Sequence, residues 1–391
     1  MVRWAAGCVC LLPLIMGVWP ADSQEAGNDR PVVVRVACRK GMGLIGSFWR
    51  GVAAGSVGVA LDMELKAVRL HPGLVTAAWG PRRAGGGYDW TALDAGIDSL
   101  DALGASVFLP LPVVDEGVVG GWPDLVFDTV RHAAGRVSGF EICGEALAGE
   151  RLESYLDAYE SAVWKAYAAD RKAQVGGPGT SWESDAVAAL VARCRERSLP
   201  LHFVSWQVTA ARPEDLGRSA SAVREMVDRV AFKNPPRLLI SAWRPALGAS
   251  GAASDASILS SLFFLMGAEV DVACLEVWGG GRELAAMKAF DQLVGVRLPM
   301  RTEGTDHGVE GMVTLDGDEV IALFWRRQGA SPSVVSAQFS GIAWGRRIRV
   351  TQTVVDGNGQ AEAQVLPMQD PLEVNFALAP GQAIIVRVTP D

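Results

Sequence analysis

The residues with the chemistry to do work in this chain stand at the ends of short apolar runs. Glu145 comes just after the run 139–143, between Gly144 and Ala146. A carboxylic acid placed past a buried strand is partly desolvated, which raises its pKa and suits it to act as a general acid. The competing reading is a structural ion pair with Arg69 or another arginine at the same strand ends. Arg69 and His71 close the run 66–70, and Ser205 and Gln207 close the run at 202–205. Ser241, Ala242, Trp243 and Arg244 end the run that begins at 237, and Glu276 and Trp278 end the run 272–276. Asp115 and Glu116 follow Pro112 in a loop. Glu276, Asp115 and Glu116 are the carboxylates available as a base opposite Glu145; for Glu276 a pair with Arg244 is the structural alternative.

These residues need a scaffold that brings the ends of distant strands together. From about 40 to 300, strand-like runs alternate with helical stretches. The runs lie at 66–70, 105–109, 139–143, 173–176, 202–205, 237–241 and 272–276, with an eighth expected near 43–48. Near-continuous apolar runs suit parallel strands covered on both faces. Between them, 90–103 places Leu93, Ile97, Leu100 and Leu103 on one helical stripe, and 152–169 forms a second amphipathic helix. Eight such units predict an α/β fold, a (β/α)8 TIM barrel whose functional groups sit at the C-terminal strand ends. After about 300 the rhythm changes to short, often alternating runs at 309–315, 319–325, 333–339, 346–355, 372–378 and 383–388, punctuated by Asp316-Gly317, Asp356-Gly357 and Pro380-Gly381. That pattern predicts a C-terminal antiparallel β-sandwich over 301–391, to which the strand-like segment 32–38 is a candidate extra strand.

Composition narrows the function classes. With 49% hydrophobic residues and a formal charge of −8, the chain is neither disordered nor suited to hold nucleic acid by bulk charge. Thirteen Trp against four Tyr supply faces suited equally to sugar stacking and to core packing. Trp49, Trp79, Trp122, Trp182, Trp206, Trp243 and Trp278 fall near expected loops or strand ends. The N-terminus reads as an export signal of about 23 residues: Arg3, an apolar stretch over 5–19, and small residues at Ala21 and Ser23. No later stretch is long enough to span a membrane, so the expectation is a secreted or periplasmic protein. Cys38, Cys143, Cys194 and Cys274 are widely spaced, which argues for buried thiols, with one bridge as the alternative. No nucleotide, phosphate or metal motif is present, and His71, His132, His202 and His307 are too dispersed for a zinc site, so no cofactor is expected.

Several segments, in order, resemble glycoside hydrolase family 39, which includes β-xylosidases and α-L-iduronidases. Phe140-Glu141-Ile142-Cys143-Gly144-Glu145-Ala146 resembles the family's FE(I/V)WNEP segment. Val68-Arg69-Leu70-His71 is similar to vRfH, and Tyr88-Asp89-Trp90-Thr91-Ala92-Leu93-Asp94 to YdWtrlD. Val175-Gly176-Gly177-Pro178 is similar to vGGP, Leu201-His202-Phe203-Val204-Ser205-Trp206-Gln207 to LDFVSwH, and Leu239-Ile240-Ser241-Ala242-Trp243-Arg244 to lISEWN. The likeness spans roughly 40–300, and the last ninety residues look like the family's terminal sandwich.

The resemblance implies a retaining glycosidase, which needs two carboxyl groups about 5–5.5 Å apart. It gives Glu145 the acid/base role, but the nucleophile's place holds Ala242, which has no nucleophilic atom. The Asn and Pro flanking the acid/base are Gly144 and Ala146, the Trp before that Asn is Cys143, the sixth-strand His is Gln207, and the Asn two past the nucleophile is Arg244. The expectation is a degenerate site that binds an oligo- or polysaccharide through Arg69, His71, Trp206, Gln207, Trp243, Arg244 and Trp278 without ordinary retaining hydrolysis. Two alternatives stand beside it. One is an active glycosidase pairing Glu145 with a substitute carboxylate such as Glu276, since an inverting pair works at about 6.5–9.5 Å. The other is a scaffold in polysaccharide assembly.

Overall fold

The computed structural model describes residues 31–54, 64–80, 88–113, 121–143, 151–245, 253–277, 282–303, 308–327, 331–355 and 361–391. The export signal and Glu145 with its neighbours lie outside these residues.

The first strand, β1 (Val32–Ala37), does not belong to the barrel. The barrel strands are β2 (Gly51–Ala54), β3 (Ala67–Leu70), β4 (Ser106–Pro112), β5 (Gly139–Cys143), β6 (Val175–Ser181), β7 (Phe203–Thr209), β8 (Arg237–Arg244) and β9 (Val272–Val277). They close in sequence order, every pair parallel, with β2 against β9 completing the ring. Helices α1 (Pro72–Ala78) and α2 (Thr91–Asp101) follow β3, and α3 (Trp122–Ala133), α4 (Arg151–Ala169), α5 (Asp185–Glu196), α6 (Glu214–Val230), α7 (Asp255–Leu265) and α8 (Arg282–Asp291) follow β4 through β9 in turn. This is a (β/α)8 barrel. The stripe of α2 is real: Leu93, Ile97 and Leu100 are fully buried against the strands.

One strand lies elsewhere than expected. The segment 43–48 is irregular apart from a bridge between Leu44 and Val296, and the barrel's first strand is Gly51–Ala54. Small residues let β2 close the ring: a Cβ on Gly51 would stand 2.6 Å from the Ala273 carbonyl oxygen of β9.

The remaining strands are β10 (Val296–Leu298), β11 (Met300–Glu303), β12 (Val309–Asp316), β13 (Glu319–Arg326), β14 (Ser333–Ser340), β15 (Arg347–Val354), β16 (Ala361–Pro367), β17 (Leu372–Leu378) and β18 (Ala383–Pro390). They form a four-stranded sheet, β11-β1-β14-β17, and a six-stranded sheet, β10-β12-β13-β18-β15-β16. The C-terminal strands pair antiparallel with one another, whereas β1, arriving from before the barrel, runs parallel to β14. Val34, Val36, Phe339, Val374, Phe324 and Val386 interdigitate between the two sheets.

The run Val320–Trp325 of β13 is buried throughout because the six-stranded sheet is covered on both sides. Val320, Ala322 and Phe324 face the sandwich interior; Ile321, Leu323 and Trp325 join the barrel's core. Trp325 marks the joint: its indole N–H reaches Ser260 Oγ of α7 (2.7 Å) and Glu310 Oε2 (2.8 Å), and Ser260 donates to that same oxygen at 2.6 Å. Arg327 then bridges Glu310 (2.7 Å) to Glu214 at the start of α6 (2.6 Å).

Candidate functional site

Strand alternation decides which side chains reach the inside of the barrel. On β7, Phe203, Ser205 and Gln207 point inward while Val204 and Trp206 point to the helices. On β5, Glu141 and Cys143 share the inward parity, and Phe140 and Ile142 belong to the outer core. On β8 a bulge intervenes. Trp206 pairs with Ile240 but Gln207 pairs with Ala242, so Ser241 is the extra residue, and its hydroxyl donates to the Trp206 carbonyl at 3.3 Å. The bulge reverses the parity beyond it. Ala242 packs in the interior cluster with Ala53, Ala67, Phe108, Phe203, Leu239 and Cys274, and Trp243 joins the outer core.

Trp206 and Trp243 therefore do not line the mouth. Both are fully buried between strands and helices, Trp206 donating to Ser219 Oγ of α6 at 3.2 Å. Of the other tryptophans singled out from the sequence, Trp49, Trp79 and Trp122 are buried and Trp182 is half-buried. Trp278 lies outside the described residues.

Deep in the barrel, Arg69 meets a carboxylate, but that of Glu141. Arg69 Nε donates to Glu141 Oε2 at 2.7 Å, with the carboxylate fully buried. Burial alone would pull the guanidinium's pKa down; Glu141, aided by Cys143 and Cys274, holds it above its usual value. The other Glu141 oxygen and the Ser205 hydroxyl are buried without a hydrogen-bond partner among the described residues. Gly179, with φ +64°, passes close by: a Cβ there would lie 2.8 Å from the Glu141 carboxyl, so only glycine fits. Cys274 has its thiol pushed up to about 12 by burial, the Arg69 charge opposing the rise. Among the described residues, Cys38, Cys143, Cys194 and Cys274 are buried and joined in no disulfide.

Closer to the mouth, Gln207 donates from Nε2 to the Gly179 carbonyl at 2.6 Å, which fixes the amide across β6 and β7. Arg244 and Glu276 form a two-pronged ion pair: Nη2 donates to Oε1 at 2.8 Å and Nε to Oε2. The carboxylate raises the guanidinium's pKa. Both oxygens of Glu276 are thus engaged by a cation two residues beyond Ala242. His71 ends β3 as the N-cap of α1, its Nδ1 accepting from the Gly73 N–H at 3.0 Å, with the ring exposed. Arg69, Gln207, Ala242, Arg244 and Glu276 thus line one barrel interior, from its middle to its C-terminal end.

The Arg69–Glu141 pair is the feature that the sequence reading missed: the ion pair weighed there for Arg69 was with Glu145, which lies outside the described residues. Glu141 sits in the middle of an apolar run, and its inward parity opposite Arg69 is the signal that would have identified it. Among the described residues no group of three His, Cys, Asp or Glu could hold a metal ion, and no helix is long and apolar enough to cross a membrane.

No protein-family model matches the sequence, and no curated protein sequence does. Solved structures match over nearly the whole chain. A glucosidase from Croceicoccus marinus is 17% identical with a TM-score of 0.69, over 93% of this chain and 100% of the other. The GH39 enzyme from Xanthomonas axonopodis pv. citri is 15% identical with a TM-score of 0.70, over 92% and 98%. A monomeric β-xylosidase from Caulobacter crescentus CB15 is 15% identical with a TM-score of 0.70, over 92% and 99%. The chain shares the barrel-and-sheet fold of these glycoside hydrolases, at identities that speak to the fold alone.

Proposed function

We propose that this is an exported protein that binds an oligo- or polysaccharide in the mouth of its barrel and has lost ordinary retaining hydrolysis. The observation that carries the reading is Ala242. It faces the barrel interior, where the family resemblance places a nucleophilic carboxylate, and a methyl group cannot attack an anomeric carbon. The change is not isolated. The next inward residue, Arg244, is a cation clamped by Glu276 where the family keeps a neutral amide. Glu145 keeps the acid/base role implied by the resemblance, but an acid without a partner nucleophile completes only half of a retaining cycle.

The polar groups suited to hydroxyl recognition are Gln207, His71 and the Arg244–Glu276 pair. Arg69, buried under Glu141, positions the barrel's interior rather than meeting a ligand. The carbohydrate class rests on the structural neighbours, which include enzymes called xylosidase and glucosidase. The alternative of an active glycosidase using Glu276 as its base is disfavoured because both oxygens of that carboxylate are held by Arg244.

The test is turnover of aryl β-xylosides and β-glucosides by the purified protein, alongside calorimetric titration with xylo- and gluco-oligosaccharides. Binding without turnover, with Ala242→Glu or Ala242→Glu combined with Arg244→Asn gaining turnover, is the expected result. Release of sugar by the native protein that disappears in Glu145→Gln overturns it.

A further inference from the structure

We infer that the opposite, N-terminal end of the barrel carries a second binding site, for an acidic polysaccharide, built from Trp164, Tyr167, Arg195 and Lys233. The inference takes its ligand class from the carbohydrate reading above but rests on different residues. Trp164 lies near the C-terminal end of α4 and is 51% exposed, whereas Trp206, Trp243 and Trp325 are fully buried. Tyr167, one turn further on, stands edge-on to it at 6.3 Å between ring centres, and Tyr167 in turn meets the His202 ring at 6.0 Å. The three rings form a continuous strip that leads into a groove of about 450 Å3.

The groove is donor-rich. It is lined by Tyr167, His202, Asn234, Ser198, Arg195 and Lys233, and among the described residues no carboxylate lines it. In a chain with 44 acidic and 36 basic side chains, this is a local reversal of charge. Helix α5 shows that it is not a by-product of surface pairing. Arg193 ties α5 to Glu153 (2.5 Å) and Asp157 (3.2 Å) of α4, and Arg197 pairs with Glu160 at 2.9 Å. Arg195, between them, lines the groove with no ion-pair partner among the described residues, and Lys233 is likewise unpaired.

An exposed indole offers a flat apolar face to the C–H side of a sugar ring, while a guanidinium fork and an ammonium recognise carboxylates. Together they match a chain of uronic acid residues, one ring on Trp164 and neighbouring carboxylates in the groove. A neutral glycan would leave both cations without a counter-charge. The site lies at the end of the barrel away from Ala242, so it would hold a polymer without occupying the mouth.

The test is titration of the full-length mature protein with a tetragalacturonate, a neutral glucan tetrasaccharide and a single-stranded oligonucleotide. Tetragalacturonate is expected to bind in preference to both others. Trp164→Ala and the double change Arg195→Ala/Lys233→Ala should each weaken it roughly tenfold or more, and Trp164→Phe should restore most of the loss. Gln207→Ala in the mouth should leave this binding intact while weakening neutral oligosaccharides, which separates failure of this site from failure of the mouth. Tetragalacturonate binding that is absent, or unchanged in both bottom-face variants, overturns the inference. So does a neutral-tetrasaccharide affinity that falls in both bottom-face variants as the tetragalacturonate affinity does, or tighter binding of the oligonucleotide.

Discussion

Arg69 and Glu141 meet inside the barrel at 2.7 Å, and neither side chain is accessible enough for bulk water to replace the other as a partner. The pair ties β3 to β5 across the interior at the level where Gly179 leaves room for a carboxyl group. A buried ion pair is costly to assemble and more costly to break. Arg69→Leu should therefore destabilise the protein by about 3–5 kcal/mol, because Glu141 is left buried and unpaired. The double change Arg69→Leu/Glu141→Leu should recover much of that loss. Urea unfolding of the two variants checks both; a double variant less stable than the single one would contradict the account of the pair.

Ala242 sits among Ala53, Ala67, Leu239 and Cys274, so a larger side chain must displace its neighbours or turn toward the mouth. Ala242→Glu is expected to lower stability by about 1–3 kcal/mol through overpacking. It should also draw Arg244 away from Glu276. Combining it with Arg244→Asn removes that competing cation, and the double variant should show more turnover than Ala242→Glu alone. Thermal unfolding and a chromogenic glycoside assay measure the two effects separately.

Trp325, Ser260, Glu310, Arg327 and Glu214 form a polar chain between barrel and sandwich. Arg327→Leu leaves two partly buried carboxylates facing each other without their shared cation. The expected outcome is easier proteolytic separation of the sandwich from the barrel, with a loss of about 1–3 kcal/mol that shrinks as salt is added. Ser260→Ala should act in the same direction and show less salt dependence, since it removes a hydroxyl rather than a charge.

Asp215, in the first turn of α6, accepts from the N–H groups of Ala211 (3.0 Å) and Arg212 (2.8 Å) and pairs with Arg218. Burial would raise its carboxyl pKa, but the Arg212 N–H, Arg218 and the Ala211 N–H outweigh it and hold the group below the usual aspartate range. A depressed carboxylate contributes stability that is fully present above its unfolded value, about 4, and is lost as pH falls through the folded one. Asp215→Asn should flatten the acid limb of the stability curve below about pH 4 while lowering stability at neutral pH. Melting temperatures recorded between acid and neutral pH test both parts.

Much of this architecture is legible in the sequence because buried parallel strands leave unmistakable apolar runs. The run 139–143 coincides with β5, and Leu372–Leu378 keeps its alternation as β17. Four strands escaped: Gly51–Ala54, the short Val296–Leu298 and Met300–Glu303 where the barrel gives way to the sandwich, and Ala361–Pro367. The strand Gly51–Ala54 is made of small residues chosen for close approach rather than hydrophobic bulk, and Ala361–Pro367 is an exposed edge strand with no buried face to impose alternation. The site was legible in its strand ends but not in its facing. The bulge at Ser241 exchanges the directions of Ala242 and Trp243, and no residue-type rule announces it. The partner of Arg69 was hidden for a related reason: Glu141 lies inside the apolar run, four residues before Glu145, where chemistry was sought.

The most direct measurement of the central claim is steady-state turnover of aryl β-xylosides and β-glucosides by native protein, Glu145→Gln and Ala242→Glu under identical conditions. The account predicts no turnover above background in the native protein, no change on Glu145→Gln, and a gain on Ala242→Glu. Turnover by the native protein that is abolished in Glu145→Gln would contradict it and would make Ala242 part of a working, rearranged active site.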